Sequence, residues 1–370
     1  MTTTGPRVAI AHEWLVSYAG SERVVRELLG TFDAARLLTT MYRPAALPLE
    51  FAAAEPSLLQ HLPGAVDHHE WMLPLMPLSW RLRPEVRDVD AVVSSSHACS
   101  NAVRVAPGIP RLSYCHTPMR YAWDFPSERT RFPRPVRPAA QAMMAGFRRW
   151  DRTTSEHVTR FVANSAAVAA RIRTHYGRSA EVIHPPVDTE FFTRAPEVVL
   201  EPGEFVYVGR LVSYKRADLA VAAFADGPHR LTVVGEGHLR AELEAGAGPN
   251  VRFVGKVGDE ALRDLYRRST AMVFPADEDF GISMAEAQAC GTPVVSVRRG
   301  GAVDIVDDGR TGVLARPDDL ADLRAAIDRA ARTDWDRAAI RAHAERFAAS
   351  RFRQRMRDAV LDMIAAPVPS

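Results

Sequence analysis

The chain has 370 residues, too many for one ordinary hydrophobic core and about right for two domains of roughly 150–200 residues each. Hydrophobic residues make up 47% and charged residues 25%, which excludes a disordered or collagen-like chain, and no apolar run reaches the ~18 residues of a membrane span. Lys+Arg at 47 against Asp+Glu at 45 leaves a net charge of +2, too balanced for a dedicated nucleic-acid binder.

The opening MTTTGPRVAIAHEW has no basic start leading into an apolar core, so no signal peptide is expected. Cys99, Cys115 and Cys290 are too few for a disulfide framework, which makes the cytoplasm the expected compartment. From there short β runs alternate with helical stretches. RVAIAH (7–12) reads as a buried strand and SERVVRELLGTF (21–32) as a helix; DAVVSSS (90–96), RLSYCH (111–116) and RFVANS (160–165) are further strands ending in small or polar residues. AEVIHPPVD (180–188) is a last strand running into a proline-stiffened connector.

A second series follows. EFVYVGRL (204–211), HRLTVVGEG (229–237), NVRFVGKV (250–257), AMVFPA (271–276) and PVVSVRRG (293–300) read as strands, with ADLAVAAFA, ALRDLYRRS and SMAEAQAC as helices between them. TGVLARPDDLADLRAAIDRAA adds a strand and a helix, and 335–366 reads as helix throughout. The pattern is α/β: two doubly wound parallel sheets, joined near 188–200, with ligands expected in a crevice at the strand ends. The expected division is 1–193, 194–345, and a C-terminal segment 346–370 packing back on the first domain.

Two stretches carry chemistry. In PADEDFGISMAEAQACG (275–291), Asp277, Glu278 and Asp279 follow a strand, and Phe280-Gly281-Ile282 leads into a helix whose first N–H groups suit an anion. Glu278 and Glu286 lie eight residues apart, too far along a helix to share a proton but well placed to hold hydroxyl pairs on two parts of an extended ligand. In GRLVSYKR (209–216), Gly209 ends a strand and Arg210 and Lys215 supply two cations, the charge a leaving diphosphate needs. Lys215 and Lys256 are the only lysines among 47 basic residues, and a compact ammonium is not interchangeable with a guanidinium fork. Taken singly, these residues also fit solvated surface charges.

Together, the Glu278/Glu286 pair behind a strand, GRLVSYKR upstream of it and VIHPPVDTEFF at the junction strongly resemble the retaining glycosyltransferases of the GT-B fold, family 4. The resemblance covers nearly the whole chain. RVAIAHEWLVSYAGSERVVREL looks like the family's first strand, phosphate loop and helix, although Ala19-Gly20 stands where many members have two glycines. SSSHACSNAV, RLSYCHTPMRYAWD and FVANSAAVAARIRTHYG resemble a mannosyltransferase-like branch that builds surface polysaccharides.

The resemblance implies two Rossmann-like domains facing a cleft, an N-terminal acceptor domain and a C-terminal nucleotide-sugar domain. It implies that Glu278 and His116 hold the donor sugar, Glu286 the ribose, and Arg210 and Lys215 the diphosphate. Phe280, Gly281 and Ile282 would support sugar and phosphate, Lys256 and Val257 would line the base through the main chain, and Gly20 would admit the diphosphate. It further implies transfer of a hexose, mannose from GDP-mannose, to a glycan or lipid-linked acceptor with retention, the leaving phosphate helping to take the acceptor proton. No cofactor and no metal are expected. On this reading Glu278→Gln would weaken transfer and leave nucleotide diphosphate binding nearly unchanged.

Two Trp/Met/Leu/Arg-rich stretches, 71–84 and 136–152, suit either peripheral contact with the inner membrane face or partly buried packing. Two alternatives stand beside transfer: a nucleotide-sugar 2-epimerase of similar fold, which needs further carboxylates in the cleft, and a non-catalytic sugar-nucleotide binding protein. A pyridoxal phosphate enzyme needs a Schiff-base lysine, and both lysines have other uses.

Overall fold

The computed structural model describes residues 5–124 and 134–366, so residues 1–4 of the opening stretch and 367–370 of the C-terminal segment lie outside it. The chain forms two compact units, residues 1–186 with 352–370, and residues 187–351.

The first unit is built on a seven-stranded parallel sheet. Its strands are β1 (Arg7–His12), β2 (Asp33–Leu38), β3 (Ala54–Glu55), β4 (Ala91–Ser96), β5 (Arg111–Cys115), β6 (Arg160–Ala163) and β7 (Ala180–Val182), in the order β3-β2-β1-β4-β5-β6-β7. Val8, Ala9, Ile10 and Ala11 are fully buried, as a strand covered on both faces requires. β1 pairs with β4 in register from Val8↔Ala91 to His12↔Ser95. The helix Gly20–Thr31 lays Val24, Val25 and Leu28 on one face of the sheet. The same face receives Phe352, Met356 and Val360 of the C-terminal helix Ala349–Ala365.

The second unit has a six-stranded parallel sheet. Its strands are β8 (Glu204–Val208), β9 (Arg230–Val234), β10 (Val251–Gly255), β11 (Ala271–Phe274), β12 (Val294–Val297) and β13 (Gly312–Ala315), in the order β10-β9-β8-β11-β12-β13. Phe205, Tyr207 and Phe274 are buried at its centre. In both sheets the strand order reverses beside the first strand, between β1 and β4 and between β8 and β11. Such switch points, at the carboxyl ends of the strands, are where open α/β sheets bind ligands.

Three expectations need correction. Residues 335–366 are two helices, Arg337–Ala344 and Ala349–Ala365, separated by a 3-10 turn at Glu345–Phe347. Val187 causes the break: its N–H donates to the Phe347 carbonyl (2.9 Å) and its carbonyl accepts from Ala349 N–H (3.1 Å). That stitch also ties 187–193 and 346–351 to the second unit, so the division falls at 186/187 and 351/352 rather than at 193/194 and 345/346. Finally, β2 and β3 are strands that the sequence pattern hides. DAARLL is made of good helix formers, and its parallel pairing with β1 overrides that preference.

Candidate active site

In the second unit the site grows from the ends of β8 and β11. After β8 the chain turns through a 3-10 segment, Ser213–Lys215, and the Tyr207 hydroxyl fixes it by donating to the Lys215 carbonyl (3.0 Å). The Lys215 ammonium stands 2.8 Å from Glu278 Oε1 and 5.6 Å from the ring centres of both Tyr214 and Phe274. Both charged side chains are largely covered, at 19% and 15% exposure, so the pair is weakly screened. Arg210 is exposed; its guanidinium donates to the Tyr214 hydroxyl and lies 5.8 Å from that ring's centre. Tyr214 therefore sits between the two cations. The pairing of Lys215 with Glu278 brings the carboxylate assigned to the sugar into direct contact with a cation assigned to the diphosphate.

The loop bearing Glu278 is held from behind. Gly301 N–H donates to the Glu278 carbonyl (2.8 Å), and a Cβ on Gly300 would collide with that same carbonyl and with the Asp277 carboxylate. This support, from the loop after β12, was not read from the sequence, although two adjacent glycines behind a strand are its signal. Gly281 caps the helix Ile282–Ala289 with φ +96°, a conformation glycine adopts without strain. Phe280 anchors the turn by packing edge-on to Phe347, ring centres 5.4 Å apart. Glu286, on the helix's second turn, is buried at 4% exposure, with the Tyr266 hydroxyl 3.5 Å from its Oε2. It is not a solvated surface charge. Lys256 is exposed and Val257 partly buried just past β10, an edge strand two places from β8.

In the first unit His116 follows β5. Its N–H donates to the Ser96 carbonyl (2.8 Å), its carbonyl accepts from Asn164 Nδ2 (2.8 Å), and its Nε2 is 2.8 Å from Ser95 Oγ. Burial, followed by the neighbouring His97 and His12, pushes its pKa down to about 3, so the ring is neutral. Gly20 opens the helix Gly20–Thr31. Ala19 before it has φ −140°, extended backbone open to any residue, so the backbone there does not require a second glycine.

Around His116 lies a cluster that sequence reasoning passed over. His12 Nδ1 is 3.0 Å from the Ser95 carbonyl and its Nε2 3.4 Å from Glu22 Oε1, while Glu22 Oε2 accepts from Ala19 N–H (2.9 Å). Burial works against charge on His12, but Glu22 and Glu13 outweigh it and raise its pKa. Burial alone would lift the Glu13 carboxyl; His97, His12 and backbone N–H groups outweigh it and hold it at about 2. The signal was visible in HEW after β1 and SSSH after β4, polar residues at strand ends beside the switch point.

Elsewhere the first unit carries a groove of about 600 Å³ lined by Leu58, Leu62, Leu75, Leu78, Leu82 and Arg83. In the stretch 71–84 Trp71 is 81% exposed, whereas Met76 and Trp80 are fully buried. Among the described residues, no helix is long and apolar enough to cross a membrane.

Two family models match the chain, "Glycosyltransferase Family 4" over residues 18–191 and "Glycosyl transferases group 1" over residues 188–347. A D-inositol 3-phosphate glycosyltransferase of Kribbella flavida is 33% identical over 228 residues, 52% of this chain and 54% of the relative. Another, of Geodermatophilus obscurus, is 37% identical over 199 residues, 45% of this chain and 44% of the relative. The chain thus spans about half the length of the curated relatives it matches. Among solved structures, Anabaena HepE in complex with UDP and glucose superposes with TM-score 0.71 at 17% identity, covering 96% of this chain and 99% of that one. Sucrose-phosphate synthase from Thermosynechococcus elongatus gives TM-score 0.71 at 20% identity, with 98% and 100% covered.

Proposed function

The chain belongs to the family 4, group 1 glycosyltransferases of the GT-B fold, and from that premise we propose that it moves a hexose from a nucleotide-diphosphate sugar to a glycan or lipid-linked saccharide. The observation that carries this reading is the Lys215–Glu278 pair, a phosphate-binding cation and a hydroxyl-binding carboxylate held 2.8 Å apart at a switch point. Lys215 and Arg210, with the N-terminus of the helix Ile282–Ala289, neutralise the diphosphate as it gains charge and leaves. Glu278 and the neutral His116 hold sugar hydroxyls, and buried Glu286 takes the ribose. The main chain of Phe280, Gly281 and Ile282 supports sugar and phosphate, that of Lys256 and Val257 lines the base, and Gly20 leaves room for the diphosphate.

The donor we propose is GDP-mannose, transferred with retention, on the likeness of SSSHACSNAV, YCHTPMRYAWD and VIHPPVD to the mannosyltransferase-like branch. The UDP and glucose held by the Anabaena protein favour a UDP-sugar as the second reading. No metal takes part in this reading, because two cations and a helix end already meet the diphosphate, and no cofactor is needed. The exposed apolar side chains around Trp71 bring the first unit to the inner membrane face, where a lipid-linked acceptor resides. A thermal-shift screen of GDP-, UDP- and ADP-sugars tests the donor, since a ligand that binds the folded chain raises its melting point. A rise with GDP-mannose is expected. A rise confined to UDP-sugars would replace the donor, and no rise with any of them would overturn the reading.

A further inference from the structure

Among the described residues four non-glycines have positive φ: Asp88, Arg216, Asp226 and Asp318. Aspartate visits that left-handed region more readily than most side chains, which leaves Arg216 (φ +51°) as the exception. Arg216 directly follows Lys215 and opens the helix Ala217–Phe224. Its Nε donates to Asp218 Oδ1 (3.3 Å) and its Nη1 to Asp318 Oδ1. Asp318 itself has φ +58° and lies in the loop after β13, three places from β8 in the sheet. Two left-handed residues, carried by loops from non-adjacent strands, thus hold one another.

The second oxygen of Asp318 is also engaged. Its Oδ2 lies 3.3 Å from Nη1 of Arg299, whose Nε stands 4.0 Å from Oδ2 of Asp277. Arg299 precedes Gly300 and Gly301, which back the Glu278 loop, and Asp277 precedes Glu278 itself. One carboxylate therefore grips the neighbour of Lys215 with one oxygen and, through Arg299, the loop of Glu278 with the other. The hydrogen bond from Arg216 holds the Asp318 carboxyl below its ordinary value and keeps it charged.

Such a network does little for folding. Arg216 is 30% exposed, Arg299 51% and Asp318 58%, and exposed ion pairs contribute little to stability. A left-handed arginine persists only where its surroundings over-determine it, and such strain gathers where placement matters. Here it lies one residue from Lys215, whose carbonyl the Tyr207 hydroxyl already fixes.

We propose that Asp318 is a positioning residue: by holding Arg216 and Arg299 it sets the Lys215 ammonium beside Glu278 for a diphosphate. This rests on the transferase reading. Asp318 touches no donor atom in this scheme, and its effect reaches the diphosphate through Lys215.

Calorimetric titration of GDP and UDP into the full chain tests the proposal, because neither nucleotide carries the sugar assigned to Glu278. Asp318→Asn keeps a side chain suited to the left-handed backbone and removes the charge. It should weaken binding about three- to tenfold while leaving the melting point nearly unchanged. Arg216→Gln breaks the same bond from the other end and should weaken binding to a similar degree. In a chain already carrying Lys215→Ala, Asp318→Asn should cost nothing further, whereas a merely structural role would cost its full effect again. Undiminished affinity in both single variants, or a full further loss in the double variant, would overturn the assignment. A wild-type chain that binds neither GDP nor UDP would overturn the transferase reading and this assignment with it.

Discussion

The two units place their polar groups at the same point of the same topology and treat charge in opposite ways. At the β8/β11 switch point Arg210 is exposed and Lys215 keeps contact with solvent, so cations remain available to an anion. At the β1/β4 switch point His12, Glu13 and Glu22 are buried against one another, leaving partly exposed histidines at the rim. An exposed cation beside a carboxylate suits phosphate; a buried carboxylate behind a histidine suits a hydroxyl. The same topology thus turns cations toward water in one unit and carboxylates away from it in the other.

The sharpest test of the first half is Lys215→Ala, expected to cut turnover by about 10²–10³, the equivalent of about 3 kcal/mol, without unfolding the chain. Arg210→Ala should follow in the same direction. Steady-state kinetics beside circular dichroism checks both, and unchanged turnover would break the assignment. Next comes Glu278→Gln. Removing the carboxylate should weaken transfer, yet it frees Lys215 from its 2.8 Å partner, so calorimetry should find GDP and UDP bound several-fold more tightly. Unchanged affinity would mean that the pair does not compete with phosphate.

For the first unit the expected effect is on stability. Glu13 has its pKa lowered from 4.5 to about 2, so its contribution is present above pH 4.5 and is lost as pH falls toward 2. His12 is raised above 6.5, so its contribution is present below that value and is lost as pH climbs through the folded-state value. Thermal unfolding against pH should show both limbs, and Glu13→Gln should flatten the acidic one. Asp151 is a smaller case. Burial raises it to about 6, against hydrogen bonds from Trp123 Nε1 (2.6 Å) and the Tyr176 hydroxyl (2.7 Å). Its ionised form is the disfavoured one, and an amide oxygen can accept the same two bonds. Asp151→Asn should therefore leave the melting point near pH 7 unchanged or raise it by a few degrees. The smallest expected effect is none: sugar transfer should survive EDTA, and loss restored by magnesium or manganese would assign a metal role to Asp277–Asp279.

Most strands and helices were legible because parallel strands buried on both faces read as short apolar runs, as RVAIAH and AMVFPA do. DAARLL was not, since its pairing with β1 is tertiary and its residues favour helix. The break at Ala348 was hidden for the same reason: Val187, far away in sequence, makes it. Within the candidate site, GRLVSYKR and the Glu278–Ile282 stretch carried local signals in charge and glycine spacing. The burial of Glu286, the Lys215–Glu278 contact and the Glu13–His97 contact depend on which strands lie side by side. Sequence spacing does not report that.

Calorimetric titration of GDP and UDP into the wild-type chain and Lys215→Ala bears most directly on the proposal that the second unit is a nucleotide-diphosphate site. Wild type should bind at least one of the two, and the variant should bind it at least tenfold more weakly with its fold intact. Equal affinity in the two proteins, or no binding of either nucleotide to the wild type, would contradict it.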